Sequence, residues 1–188
     1  MNFKILFIII ITTFYCHLGV SQLVGKGEQG PFLLQNAEIH TVTNGIIQGS
    51  ILIEDNKISQ IGSFTAPDDA TVIDCSGKRI YPGFIDSGTT LGLNEIGAVS
   101  LTRDANELGD FTPQMQALTA VNPNSVLIPV TRVNGVTTVL SKPTGGVFPG
   151  TAALIDLHGY TPDQMFAGYK AVIMNFPSTG KRGWRDRR

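Results

Sequence analysis

The amino-acid sequence predicts a small β-sandwich followed by βα units of a parallel sheet or barrel. Short strand-like segments joined by turn residues fill residues 32–75, which is the pattern of a sandwich of hairpins. After Ile80 the strand-like segments are largely apolar and alternate with helical ones, as expected for a parallel sheet. The hydrophobic share of 42% and the charged share of 15% suit a packed core and exclude a disordered chain.

The N-terminal 21 residues have the composition of a secretory signal peptide. Lys4 provides a positive charge, residues 5–14 form a short apolar segment, and Gly19-Val20-Ser21 place small residues before a cut ahead of Gln22. A membrane-spanning helix needs about 20 apolar residues, so we expect no stable membrane span, with an uncleaved anchor as the alternative. The sequence therefore predicts export to the periplasm or the extracellular space.

The predicted sandwich follows a polar linker. Its strands are residues 32–42 with a bulge between 34 and 37, residues 46–54, residues 57–61 and residues 71–75. Asn44-Gly45 predicts a hairpin turn in which both residues take positive φ, and Asp55-Asn56 predicts a second turn. Cys75 lies in the last strand pattern, and we expect it to be buried.

The predicted βα region begins with an apolar strand at residues 80–86, which we expect to be buried on both faces. Further strands are predicted at residues 136–140, 152–157 and 171–176. A helix over residues 125–133 should end at Asn134-Gly135. A second helix should start at Thr161, the N-cap, with Pro162 in its first turn, and run to about residue 169.

Four segments in this order resemble the amidohydrolase superfamily, close to its imidazolonepropionase-like members. They are GSILIEDNKISQIG (49–62), TVIDCSGKRIYPGFID (71–86), NGVTTVL (134–140) and KPTGGVFPGTAALIDLHG (142–159). The resemblance implies a β-sandwich around a (β/α)8 barrel and hydrolysis of carbon–nitrogen bonds other than peptide bonds. It also implies a divalent, zinc-type metal at the carboxyl ends of the barrel strands, held in part by a His-x-His pair after PGFID.

This chain departs from the implied metal motif. Gly88 and Thr90 occupy the two histidine positions. Glycine has no ligand atom, and a threonine hydroxyl is a poor ligand for a zinc-type ion. Beyond the predicted signal peptide only His40 and His158 remain, so we expect no metal cofactor in this chain and leave its catalytic residues unknown.

Two loops are candidates for contact with a substrate. An acidic loop follows the first barrel strand and contains Glu95, and loops in that position border the active site of a barrel. The glycine-rich loop contains Gly145, Gly146 and Gly150, which would let a ligand approach the backbone closely. The alternatives are a solvated acidic loop and a purely structural turn.

Length bears on the extent of the barrel. Residues 82–188 are far fewer than the roughly 250 of a complete (β/α)8 barrel, so we expect an incomplete barrel. The predicted organisation is a signal peptide (1–21), a linker (22–31), the β-sandwich (32–81), a partial βα barrel (82–180) and a basic tail (181–188).

The resulting hypothesis is the N-terminal part of an exported amidohydrolase-like protein that is inactive alone. The alternatives are one half of a split enzyme, whose second chain supplies the remaining barrel, and a non-catalytic binding or scaffold remnant. A small-molecule substrate is expected only in a completed protein. The net charge of −1 gives no reason to expect nucleic-acid binding.

Overall fold

The computed structural model of the protein describes residues 30–176, which fall into two compact units that divide between Ile80 and Tyr81. The predicted signal peptide, almost all of the linker and the basic tail lie outside the described residues. Within residues 30–176, no helix has the length and apolar character needed to cross a membrane.

The first unit is one mixed β-sheet. Its strands are β1 (Phe32–Thr41), β2 (Gly45–Glu54), β3 (Lys57–Gly62), β4 (Thr71–Asp74) and β5 (Arg79–Ile80). They are arranged in the order β3-β2-β1-β4, with β5 also paired to β1. β2 is antiparallel to β1 and β3, whereas β4 and β5 run parallel to β1. The described residues of this unit form a single sheet, so the second layer of the sandwich stays a prediction.

The bulge and both turns are present, with one difference in backbone conformation. The β1–β2 register shifts between Leu34 and Ala37, which confirms the predicted bulge. Asp55 and Asn56 both have positive φ, at 49° and 60°, in the turn between β2 and β3. In the first hairpin only Gly45 has positive φ, so the prediction for Asn44 is wrong.

The side chain of Thr41 explains the conformation of that hairpin. Its Oγ1 accepts a hydrogen bond from the Asn44 N–H at 3.0 Å and donates to the Gly45 carbonyl at 2.9 Å. The two strands are therefore joined by a turn of residues 42–44 that is closed by a side chain. The core of this unit contains Ala37, Ile39, Ile51 and Cys75, which confirms that Cys75 is buried.

The second unit combines a four-stranded sheet with short helices. Its strands are β6 (Phe84–Thr89), β7 (Val136–Ser141), β8 (Gly150–Asp156) and β9 (Phe166–Ile173), in the order β6-β7-β8-β9. Its α-helices are α1 (Ala117–Ala120), α2 (Leu127–Val133) and α3 (Pro162–Met165), and a 3-10 turn covers Ser100–Thr102.

The predicted βα arrangement holds only for the first two strands. β6 and β7 are parallel, and α2 lies in the connection between them. β8 is antiparallel to both β7 and β9, so the prediction of further βα units is wrong. The physical reason is the loop 142–149, because a parallel neighbour requires a crossover of about a dozen or more residues.

The last helix starts as predicted and ends early. Thr161 caps α3, because its side chain accepts the Gln164 N–H at 3.2 Å, and Pro162 is the first helical residue. The helix ends at Met165 instead of near residue 169. Phe166 already pairs with Ile155 in the β8–β9 ladder, so sheet pairing replaces the helix there.

The burial predicted for the first apolar strand is also wrong. Phe84 and Ile85 of β6 are 69% and 67% exposed. Among the strands of residues 30–176, β6 lies at the edge of its sheet and pairs with β7 alone. The core of the unit lies instead between the sheet and the long β6–α2 connection; its fully buried members include Leu93, Val139 and Ile155.

Candidate functional site

The carboxyl ends of β6 and β7 meet at one edge of the second sheet. Because the two strands are parallel and Thr89 pairs with Ser141, the residues that follow each strand are neighbours. The backbone N–H of Lys142 donates to the Thr89 carbonyl at 2.8 Å. Residues 88–90 and Lys142 are therefore brought together at the place where the resemblance implies a metal.

Short local hydrogen bonds fix the end of β6. Asp86 Oδ1 accepts the Gly88 N–H at 2.9 Å, and Thr89 Oγ1 accepts the Leu91 N–H at 3.2 Å. The Thr90 carbonyl accepts the Leu93 N–H at 2.9 Å. These side-chain oxygens of Asp86 and Thr89 accept backbone N–H groups and so help the chain to turn into the following loop.

The residues at this strand end do not fit the metal that the resemblance implies. Gly88 offers no side-chain ligand, and Thr90 offers only a hydroxyl. Across residues 30–176, no group of three His, Cys, Asp or Glu side chains converges closely enough to hold a metal ion. His158 is exposed just beyond the end of β8.

His40 belongs to the first unit, where it contacts Glu38. Its Nε2 lies 2.7 Å from Glu38 Oε1, and the same oxygen lies 2.9 Å from Arg79 Nε. The hydrogen bond from His40, together with the positive charge of Arg79, holds the pKa of Glu38 below its ordinary value of 4.5. This arrangement ties β1 to β5 within the first sheet.

Glu95 holds the β6–α2 connection to the start of α2. Its Oε2 accepts the Ser125 hydroxyl at 2.9 Å, and its Oε1 accepts the Asn122 amide at 3.2 Å. Ser125 is only 2% exposed, and its oxygen in turn accepts the Leu127 N–H at 3.3 Å. The carboxylate therefore has a structural use, and its role as a substrate contact stays a prediction.

The other acidic residues of the loop, Asp104, Glu107 and Asp110, are exposed. The backbone carbonyl of Asp110 accepts the N–H groups of Val147 and Phe148 at 2.7 and 2.9 Å. The structure thus joins the acidic loop to the glycine-rich loop through the backbone.

The three glycines singled out in the glycine-rich loop lie against that acidic connection. A β-carbon at Gly145 would collide with the side chain of Asn106, one at Gly146 would lie 2.6 Å from the Asp110 carbonyl, and one at Gly150 would lie 2.5 Å from the Met115 carbonyl. All three have positive φ. Close chain packing therefore explains these glycines, and their contact with a substrate stays a prediction.

Sequence reasoning did not identify Lys142 as part of this strand end. In the structure Ser141 is fully buried, and its hydroxyl donates to the Leu91 carbonyl at 2.9 Å. The position of Lys142 next to Gly88 follows from the β6–β7 register, which no local sequence signal encodes.

Parts of the sequence are similar to known enzymes. No protein-family model matches the sequence. The chain is 46% identical over 50 residues to 5'-deoxyadenosine deaminase of Methanothermobacter thermautotrophicus, a match that covers 26% of this chain and 12% of the relative. It is 35% identical over 89 residues to D-hydantoinase of Geobacillus stearothermophilus, covering 47% of this chain and 18% of the relative.

A solved structure gives broader coverage. The crystal structure of an amidohydrolase from Thermotoga maritima matches with a TM-score of 0.67 and 28% identity, over 72% of this chain and 36% of that chain. The chain thus spans well under half the length of each of these proteins. These sequence and structure matches agree with one another in family, and the protein is related, over the part of its length that they cover, to the amidohydrolase superfamily.

Proposed function

We propose that this chain is the N-terminal part of an exported amidohydrolase-like protein and that it does not catalyse hydrolysis alone. The names deaminase, hydantoinase and amidohydrolase denote hydrolases of carbon–nitrogen bonds other than peptide bonds. The substrate class proposed for a completed protein is therefore a small molecule with such a bond, for example a cyclic amide or imide.

The observation that carries the proposal is the composition of the β6 end. Hydrolysis assisted by a metal ion needs ligands that hold the ion while it activates water and polarises the scissile carbonyl. Gly88 and Thr90 occupy the positions where those ligands are needed. Elsewhere in residues 30–176, no three His, Cys, Asp or Glu side chains lie close enough together to bind a metal ion. We therefore propose that the chain has no metal cofactor of its own.

Hydrolysis measurements on the mature chain, residues 22–188, would test this proposal. The protein is incubated with zinc or manganese and then with dihydropyrimidine- and imidazolone-type substrates. We expect no turnover and no metal retained after dialysis. Turnover that disappears in T90V, which keeps the shape of the side chain and removes its hydroxyl, would contradict the proposal.

A second candidate is one half of a split enzyme, which the exposed apolar residues of the second unit favour. Phe84 and Ile85 lie exposed on the edge strand β6. Val126, which directly precedes α2, and Val130 and Val133 within α2 are 72%, 57% and 81% exposed, and their spacing places them along one side of the helix. An unpaired apolar strand edge is a common site for pairing with another polypeptide. In this version a second chain supplies the remaining barrel strands and the missing histidines.

Co-expression with a neighbouring gene product that encodes such strands would test the second candidate. A joint complex with zinc-dependent hydrolysis is expected, and F84E should weaken it. L108E is the matched control, because Leu108 is 97% exposed in the β6–α2 connection. Two proteins that remain separate and inactive would contradict the split-enzyme version and favour a non-catalytic binding or scaffold remnant.

Export rests on the N-terminal sequence pattern and has its own test. N-terminal sequencing of protein recovered from the periplasm or the medium should begin at Gln22. Protein that retains Met1 and sediments with membranes would contradict cleavage and support the uncleaved anchor.

A further inference from the structure

The side chain of Lys142 lies next to the position where a metal-binding histidine would have to stand. Lys142 is the first residue after β7, and its backbone N–H is bonded to the carbonyl of Thr89 in β6. A β-carbon built at Gly88 would lie 3.3 Å from Lys142 Cε and 3.5 Å from Nζ. The lysine side chain therefore passes directly over Gly88.

The space and the charge at this position both depend on Lys142. A separation of 3.3 Å between carbons is below the usual contact distance of about 3.5–4.0 Å, so the end of the lysine side chain would have to move by a few tenths of an ångström to admit a β-carbon at residue 88, and further to admit an imidazole. Lys142 is half-buried, and within residues 30–176 its ammonium group forms no ion pair. Its charge at the strand end is therefore not neutralised by a neighbouring carboxylate of that part of the chain.

We infer that the Lys142 ammonium group replaces a divalent cation at the end of β6, so that restoring histidines at residues 88 and 90 is not sufficient to create a metal site. The lysine competes for the space of the first imidazole, and its positive charge repels an incoming metal ion. This inference goes beyond the proposed function, because it concerns what occupies the strand end of this chain by itself.

Zinc and cobalt titrations of designed variants test the inference. G88H/T90H in the mature chain supplies the two imidazoles, G88H/T90H/K142M then removes the charge, and G88H/T90H/K142A also removes the side-chain volume. We expect both triple variants to bind zinc about tenfold or more tightly than the double variant, because the repulsion is gone. The absorption bands of bound cobalt should likewise be stronger in the two triple variants than in the double variant.

The matched control is K170M in the double-histidine background. Lys170 lies on β9, where its ammonium group bonds Gln116 at 3.3 Å, and its removal should leave zinc affinity unchanged. Equal zinc affinity with and without Lys142 would overturn the inference. So would a gain of the same size from K170M, since it would show an effect of net charge alone.

Thermal stability provides a readout that needs no metal. G88H should lower the melting temperature in the presence of Lys142, and much less in a K142A background, because the imidazole then has room. A G88H protein that folds only with K142A supports the inference in the same way. An equal loss of stability in both backgrounds would overturn it, because the two side chains would then not share space.

Discussion

Replacing Glu95 by alanine should destabilise the second unit by about 2 kcal/mol, because the carboxylate has structural partners. Its Oε2 accepts the hydroxyl of Ser125, which is 2% exposed, at a distance of 2.9 Å. A hydrogen bond to a charged group contributes about 1.5–3 kcal/mol, and the loss is greatest when it leaves a buried donor without an acceptor. The exposed Asn122 can turn to water and adds little.

The predicted change in free energy corresponds to a large shift in melting temperature. For a unit of about 100 residues, 1 kcal/mol lowers the melting temperature by about 4–8 °C, so E95A should lower it by roughly 8–16 °C. E95Q retains an oxygen that can accept from Ser125 and should fall between E95A and the unsubstituted chain. Protection of the Leu127 amide against hydrogen exchange should decrease along with stability, because Ser125 accepts that N–H.

The assay is urea or thermal unfolding followed by circular dichroism, with hydrogen exchange measured over residues 91–127. E107A is the matched control, since Glu107 is an exposed acidic residue of the same loop without a hydrogen bond among the described residues. If E95A unfolded like the unsubstituted chain, or if E107A lost as much stability, the structural role of Glu95 would be refuted. A neutral E95A would instead favour the predicted substrate contact.

Three further predictions concern the sheets and the glycine-rich loop. Hydrogen bonds, first of all from the Ser76 side chain, hold the pKa of Asp74 below its ordinary value of 3.8. The carboxylate therefore stabilises the first unit above that pH, and this contribution is lost on further acidification. D74N should weaken the dependence of the free energy of unfolding on acidic pH, and an unchanged dependence would count against this role. I155A removes a fully buried core side chain and should cost about 2–5 kcal/mol in urea unfolding, whereas a cost near zero would contradict the assigned core. G146A places a β-carbon 2.6 Å from the Asp110 carbonyl at positive φ and should make residues 143–150 more sensitive to limited proteolysis, with unchanged cleavage as the contrary result.

Local signals were the most reliable basis for predicting the fold. The bulge near Asn36, the turn at Asp55-Asn56 and the N-cap at Thr161 are each determined by a few neighbouring residues, and all three are present. The hairpin at Gly45 was located correctly, but the Thr41 hydroxyl changed its backbone conformation. Short-range hydrogen bonds therefore explain both the agreement and this difference.

Properties that depend on distant parts of the chain were not predictable from local patterns. An apolar segment such as β6 indicates a strand that can be buried, but its exposure depends on what pairs with its open edge. The antiparallel course of β8 depends on the short loop before it and on pairing with β9. The position of Lys142 beside Gly88 depends on the register of two strands separated by the long β6–α2 connection.

The central claim is that the end of β6 does not hold the divalent metal that the amidohydrolase resemblance implies. Its most direct test is a zinc titration of the unsubstituted mature chain by calorimetry, with metal content measured after dialysis. We predict that the chain binds no stoichiometric zinc in the titration and retains none after dialysis. One tightly held zinc ion per chain, lost when Thr90 is replaced by valine, would contradict it.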